Sequence, residues 1–194
     1  MSYAIPTNEL TLTDIREFKQ RAIDAGIARA LALGLARDAR ELVVREANPD
    51  PDFSLPAGTG YATNYYNTQV LVTTSIWFPV FDSSVVAPFA ANVPTLSRTQ
   101  VAVFYKIANG TANPACTAVR FRVGPTGNTT KASFFIQLAL DVKLESEVYL
   151  SEPVVYDPED VLFIEYYGRV VGGPNGEELS FGCFIVERTG ATVS

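Results

Sequence analysis

The feature that most constrains this sequence is a series of short β-type segments that fills the chain from about residue 67 onward. These segments are rich in β-branched and aromatic residues, and turn signals such as Asn109-Gly110 and Asn175-Gly176 separate them. No helical segment lies between them, which disfavours a parallel α/β fold because that fold needs crossover helices. We therefore predict a mainly β protein, an antiparallel β-sandwich of jelly-roll type with a short helical N-terminal arm. The predicted strands are residues 41–46, 68–74, 76–81, 100–107, 116–123, 131–140, 147–150, 154–156, 161–167 and 179–187.

The N-terminal segment differs from the rest of the chain and predicts a helical arm. Thr11 or Thr13 can cap a helix, and apolar residues then recur at helical spacing. Gly26 and Gly34 interrupt this pattern, so we predict two short helices or one bent helix that ends near residues 35–37. An amphipathic helix needs an apolar partner, which is either its own domain or a neighbouring subunit. We divide the chain into residues 1–47, the arm with a first strand, and residues 48–194, the sandwich.

Several predicted strands carry large apolar side chains on both faces. In one strand Phe163 and Tyr167 oppose Ile164, and in another Phe135 opposes Phe134. A monomeric sandwich commonly has a polar outer face, so these side chains require a cover from the same chain or from a symmetric copy. If the cover is another subunit, we expect the oligomer or coat contacts to be Phe18, Leu31 and Leu35 in the arm, and Phe135, Phe163, Tyr167 and Phe184 on the strands.

Composition argues against several functional classes. The 194-residue chain has a net charge of −6, whereas nucleic-acid binding needs clustered Lys and Arg. We interpret the alternating Arg120 and Arg122 as a solvated strand face. Histidine is absent, which removes the commonest general base and zinc ligand, so we predict neither an enzyme nor a cofactor. No apolar run is long enough to span a membrane, so no membrane partner is expected. Cys116 and Cys183 are expected as buried thiols, although a disulfide stays possible.

Two segments could bind a small ligand. Asp157-Pro158-Glu159-Asp160 is the densest acidic cluster and could hold calcium, but it lacks the ligand spacing of an EF-hand loop. A turn that leads into the next strand explains this cluster more simply. The aromatic residues Tyr65, Tyr66 and Trp77 could form a platform on which a sugar ring stacks. The simpler alternative places Trp77 in a core or an interface, since buried aromatic residues dominate both.

A family resemblance follows from the order of these segments. The helical arm leads to the strand Leu42-Val43-Val44-Arg45-Glu46, a loop rich in Pro and Asp, and a histidine-free β body that includes residues 151–158 and 184–190. This layout resembles the capsid decoration, or cement, proteins of tailed bacteriophages. The resemblance implies a homotrimer that binds the major capsid protein, stabilises the coat shell and resides in the virion after assembly in the host cytoplasm. The alternative function is a carbohydrate-binding or receptor-binding module that uses Tyr65, Tyr66 and Trp77.

Overall fold

One α-helix and ten β-strands make up the described part of the chain, a computed structural model of residues 3–46, 66–67, 77–79, 96–109, 116–124, 127–136, 147–168 and 178–189. The helix α1 spans Leu12–Ala32. Single 3₁₀ turns lie at Thr7–Glu9 and Ala39–Glu41. The strands are β1 (Ala4–Pro6), β2 (Leu42–Glu46), β3 (Tyr66–Asn67), β4 (Trp77–Pro79), β5 (Gln100–Asn109), β6 (Cys116–Val123), β7 (Thr129–Phe135), β8 (Glu147–Tyr156), β9 (Phe163–Gly168) and β10 (Glu178–Arg188).

The strands form two antiparallel sheets that pack face to face. The larger sheet has the order β1-β8-β5-β10-β2, with β3 also paired to β10, and the smaller sheet has the order β4-β9-β6-β7. From β3 to β10 the chain passes from one sheet to the other at each step, except at the β6–β7 hairpin. With β1 and β3 as short additions, this order is that of an eight-stranded jelly roll. The predicted β-sandwich is therefore confirmed.

Aromatic side chains from both sheets fill the space between them. Phe104 is central to this core, with ring centroids 5.4 Å from Phe121, 5.7 Å from Tyr156 and 6.1 Å from Phe181. Tilted and edge-to-face arrangements of this kind are the favoured geometries of aromatic pairs. Cys116 and Cys183 are both buried and form no disulfide with each other, and burial raises the pKa of the Cys183 thiol.

The helix α1 is continuous, and Gly34 rather than Gly26 ends it. At its start Thr11 and Asp14 form a capping box, in which the Asp14 carboxylate accepts the Thr11 backbone N–H at 2.7 Å. At its end Gly34 has a φ of 72°, and the Leu35 N–H donates to the Ala30 carbonyl at 3.0 Å. This is the Schellman geometry that glycine favours. No helix among the described residues is long and apolar enough to cross a membrane.

A row of mostly small residues lets α1 lie close to the outer face of the larger sheet. The buried residues of the helix follow one another every four positions, which places them on one face: Phe18, Ala22, Gly26 and Ala30. A Cβ atom added to Gly26 would lie 2.7 Å from Val186 Cγ2 and 2.9 Å from Val103 Cγ2. The helix thus covers the apolar outer side of β5, β8 and β10 from within the same chain.

This packing corrects two of the predicted intersubunit contacts. Phe18, which is 9% exposed, packs against Tyr149, and Phe184, which is 7% exposed, stacks on Tyr105 at 4.9 Å. Both aromatic residues are enclosed between α1 and the larger sheet, so neither lies at a subunit surface. Leu35 packs at the edge of the same cluster, and Leu31 is half-buried. The apolar second face of the larger sheet is therefore covered by the arm itself.

Polar contacts fasten the helix to the sandwich. Arg29 donates from Nε and Nη2 to the two carboxylate oxygens of Asp157, at 2.7 and 2.6 Å, and this pairing holds the pKa of Asp157 below its usual value. The Tyr105 hydroxyl donates to Glu46 at 2.7 Å, and this hydrogen bond is the main cause of the lowered pKa of Glu46. Lys19 of the helix also pairs with Glu46, at 3.3 Å. These contacts connect α1 with β2, β5 and the turn after β8.

The N-terminal segment is also joined to the sandwich by strand pairing. Strand β1 pairs with β8, and β2 pairs with β10, so both belong to the larger sheet. The two strands predicted at residues 147–150 and 154–156 are one strand, β8. Its Pro153 lies where the pairing with β5 shifts register, so the N–H that proline lacks is not needed in the ladder. The predicted domain boundary after residue 47 and the predicted strand at residues 68–74 lie outside the described residues.

Candidate functional site

The predicted aromatic platform is divided between the two sheets. Tyr66 in β3 pairs with Leu179 of the larger sheet, whereas Trp77 in β4 pairs with Tyr167 of the smaller sheet. Tyr65 lies outside the described residues. Tyr66 and Trp77 thus belong to different sheets. The three-residue platform stays a prediction, because the side chain of Tyr66 also lies outside the described part, and Trp77 has other neighbours.

The acidic segment after β8 is a turn held by ion pairs. The Asp160 N–H donates to the Asp157 carbonyl at 3.1 Å, which closes the turn. Beside the Arg29–Asp157 pair, Glu159 pairs with Arg98 at 2.9 Å and Asp160 with Lys131 at 3.4 Å. Within the described residues, no group of three or more His, Cys, Asp or Glu side chains is placed to hold a metal ion. The segment is the turn of the simpler interpretation, and its acids pair with basic residues of neighbouring elements.

The outer face of the smaller sheet brings together aromatic residues from three strands. Trp77 of β4 is paired with Tyr167 of β9, Tyr167 with Ala118 of β6, and Ala118 with Phe135 of β7. Directly paired residues of an antiparallel sheet point to the same side. Trp77, Tyr167 and Phe135 therefore form one cross-strand line, called here the aromatic row, which spans roughly 14 Å at the usual strand spacing.

A cation occupies the Trp77 end of the aromatic row. The rings of Trp77 and Tyr167 lie 5.4 Å apart and are tilted by 51°. The guanidinium carbon of Arg120 lies 4.2 Å from the centre of the Trp77 ring, which is a cation–π contact. Because Trp77 is at an edge strand and partly exposed, this end of the row is accessible from solvent.

Two arginines share one carboxylate beside Trp77. Glu165 Oε2 accepts from Arg120 Nε at 2.6 Å and from Arg122 Nη1 at 3.2 Å. Arg120, Arg122 and Glu165, called here the arginine cluster, thus carry one net positive charge on a chain whose net charge is −6. Arg122 Nε is buried, and no hydrogen-bond acceptor for it exists among the described residues. The interpretation of Arg120 and Arg122 as a solvated face is wrong, since each side chain is only 22% exposed.

The other end of the aromatic row is open. Phe135 is 77% exposed, the highest value among the large hydrophobic residues described. It ends β7, which is the outermost strand in the order of the smaller sheet. Phe163 and Tyr167 lie on the same face but are half-buried, and the Phe163 ring packs on the hairpin turn at Gly127. Of the residues predicted for subunit contacts, Phe135 is the most accessible.

The arginine cluster was not predicted as a site. The alternation of Arg120 with Arg122, and of Phe163, Glu165 and Tyr167, shows which residues share a face within each strand. The register that places Glu165 opposite Arg120 depends on strand pairing across 45 residues of sequence. Sequence alternation alone does not specify that pairing.

Comparison with protein-family models, with curated proteins and with solved structures found no match.

Proposed function

We propose that this chain is a structural virion protein that binds and stabilises the coat shell of a tailed phage as a homotrimer, in the manner of capsid decoration proteins. The observation that supports this proposal is Phe135, which lies on an outermost strand and is 77% exposed. The apolar area of its ring is therefore in contact with water in the single chain. Burial of that area against a partner is favourable by about 25 cal/mol per Å². A surface of this kind suits assembly better than it suits a monomer.

A comparison of the two outer faces of the jelly roll supports a subunit contact through the smaller sheet. The helix α1 already packs on the larger sheet, so the arm is engaged within its own chain. The smaller sheet presents the aromatic row instead. Jelly rolls are a common architecture of viral capsid and lectin domains. We therefore place the assembly surface on the smaller sheet and not on the arm.

The strand β7 has an edge that a neighbour can use. Its sequence from Thr129 to Phe135 contains no proline, which is one of the residues that protect natural sheet edges. Its one charged residue, Lys131, pairs with Asp160 at 3.4 Å and lies 5.1 Å from the centre of the Tyr156 ring. In the part of the chain that the structure describes, no strand pairs with the outer edge of β7. We infer that β7 and Phe135 form the contact between subunits, by strand addition or by side-chain packing.

Light scattering coupled to gel filtration tests the self-association. We expect wild-type protein to have three times the chain mass of 21.1 kDa, and Phe135→Ser to shift it towards the monomer. Leu12→Ser is the matched control, because Leu12 is 75% exposed but lies at the start of the helix; this variant should stay trimeric. A monomeric wild type, or a Phe135→Ser protein that is still trimeric, contradicts the proposed contact.

Binding to the coat is tested separately by sedimentation with tailed-phage coat shells. The wild-type protein is expected in the pellet with the shells, and Phe135→Ser is expected largely in the supernatant because a monomer loses the avidity of three linked contacts. A wild-type trimer that never sediments with shells would leave an oligomer with no coat function, and would refute the virion assignment.

A further inference from the structure

The Trp77 end of the aromatic row has the composition of a ligand site and is independent of the proposed trimer contact at Phe135. We propose that this end binds an acidic sugar. The sugar ring packs on Trp77 and Tyr167, and its carboxylate pairs with Arg120 and Arg122. The supporting observations are the unbalanced charge of the arginine cluster, the Arg122 Nε that has no acceptor among the described residues, and the contact of Arg120 with Trp77, whose ring lies beside that of Tyr167.

The charge of the cluster favours a carboxylate. One oxygen of Glu165 accepts from both arginines, so two guanidinium groups share one negative charge. The same chain shows what a satisfied arginine looks like: Arg29 uses its Nε–Nη2 edge to hold both oxygens of Asp157, at 2.7 and 2.6 Å. In Arg122 the bond to Glu165 uses Nη1, and Nε has no acceptor among the described residues. A ligand carboxylate on the Nε–Nη2 edge would complete the fork–fork pairing that arginine makes with carboxylates.

Access to that edge needs only a local movement. Arg122 Nε is buried, but the side chain as a whole is 22% exposed. A rotation of the guanidinium towards solvent presents Nε to a ligand while Arg120 keeps its shorter contact with Glu165. Ligand binding is therefore expected to exchange the 3.2 Å contact between Arg122 and Glu165 for a contact with the ligand.

The neighbouring rings favour a sugar over other carboxylates. Trp77 and Tyr167 lie side by side in the row, and Arg120 covers one face of Trp77. The apolar area for the C–H face of a pyranose ring is therefore that of Tyr167 and of the part of Trp77 that Arg120 leaves uncovered. Glu165 and Arg120 place an acceptor and a donor beside the rings, as hydroxyl groups of a sugar require. Sites that fix small ligands combine such apolar surface with a few placed polar groups.

Tryptophan fluorescence provides a direct test, because Trp77 is the only tryptophan in the sequence. Titration with oligogalacturonate and with sialyllactose is expected to change its emission in a saturable way. The uncharged counterparts, methyl-esterified oligogalacturonate and lactose, are expected to bind about 10-fold more weakly or worse, the usual scale of a charge-assisted hydrogen bond. Equal binding of charged and uncharged sugars, or no saturable change with either acid, overturns the proposal. Tighter binding of a poly-glutamate peptide than of both acidic sugars overturns the identification of the ligand as a sugar.

Single substitutions test which side chains bind the carboxylate of the sugar. Arg122→Gln should weaken binding of the acidic sugar about 10-fold and leave binding of the uncharged sugar unchanged. Glu165→Gln should strengthen binding of the acidic sugar, because both guanidinium groups then lack their internal carboxylate. Arg98→Gln makes the same charge change at a side chain 85% exposed in the loop before β5, and should have no effect. Weaker binding in Glu165→Gln would contradict the proposed competition, and the sugar comparisons on wild-type protein decide the proposal even if a variant fails to fold.

Discussion

The two outer faces of this jelly roll start from the same sequence pattern and end in different states. On the larger sheet, Tyr105, Tyr149 and Phe184 point away from the inter-sheet core and are buried by α1. On the smaller sheet, the corresponding outward residues form the aromatic row, and Phe135 is 77% exposed. The first face is part of the interior, whereas the second is a surface.

This difference shows that large apolar groups on both sides of a strand do not identify an interface by themselves. A β-strand in contact with a helix on one side and a sheet on the other is buried on both faces within one chain. What separates the two faces is the cover. Under α1 the aromatic residues are enclosed against Phe18 and the small residues of the helix. No described helix lies over the aromatic row, which is beside Arg120 and Glu165.

The largest predicted difference between the two faces is the loss of stability when one aromatic residue on each face is truncated. Phe18→Ala removes a side chain enclosed between helix and sheet, and is expected to lower the free energy of unfolding by about 3 kcal/mol or more. Phe135→Ala removes an exposed side chain, and is expected to change it by less than about 0.5 kcal/mol. Urea unfolding at concentrations where the chain is monomeric measures both. Similar losses in the two variants would mean that the faces do not differ as described.

The sequence predicts the fold class and the faces of individual strands well. In β9 and β10 the alternation assigns each side chain to the correct side, because the period of two follows from strand geometry. In β5 it fails, because alternation predicts one shared face for Val101, Val103, Tyr105 and Ile107. The first three lie under the helix, but Ile107 lies in the inter-sheet core. Register shifts in β5, opposite both β8 and β10, change the side on which later residues point. Such bulges have no reliable signal in one sequence.

The candidate site is less predictable, because it depends on contacts between distant segments. Phe135, Phe163, Tyr167 and Phe184 were predicted together as contacts on the second face. The register places the first three on the outer side of the smaller sheet and Phe184 on the outer side of the larger sheet. The cover of Phe184 by α1 was left open by the sequence, since an amphipathic helix does not specify which chain it packs on. The pairing of Glu165 with Arg120 and Arg122 was not predicted at all, and neither was the separation of Tyr66 from Trp77.

Substitution of Gly26 sharpens the comparison by testing how tightly the helix covers the larger sheet. In an exposed helix, glycine to alanine stabilises by about 1 kcal/mol. Here the new Cβ would lie 2.7 Å from Val186 Cγ2, so Gly26→Ala is expected to destabilise by about 1–2 kcal/mol through overpacking. The double variant with Val186→Ala provides the space, so its loss should be smaller than the sum of the two single losses.

Gly34→Ala is the control for this interpretation. No atom lies within 4 Å of a Cβ at Gly34, and its φ of 72° makes any cost a backbone cost of about 1 kcal/mol. That cost should be independent of Val186. A stabilising Gly26→Ala would show that the helix lies further from the sheet than described, and would weaken the contrast between a covered and an open face.

The smallest expected effect concerns the ion pair between Arg29 of the helix and Asp157 of the sandwich. The pKa of Asp157 is lowered in the folded chain, chiefly by its hydrogen bonds from Arg29, so the unfolded chain binds the proton more tightly. The contribution of this pair to stability is therefore fully present above the ordinary Asp pKa of about 3.9 and is lost as pH falls through the lowered folded value. Asp157→Asn should melt below the wild type at pH 7 and close to it in strong acid. Because Arg29 is well exposed, the difference should be smaller than that of Gly26→Ala. A difference that persists unchanged in acid would assign the stabilisation to the turn at Asp157 rather than to the ion pair, and would leave the apolar row of α1 as what holds the helix on its sheet.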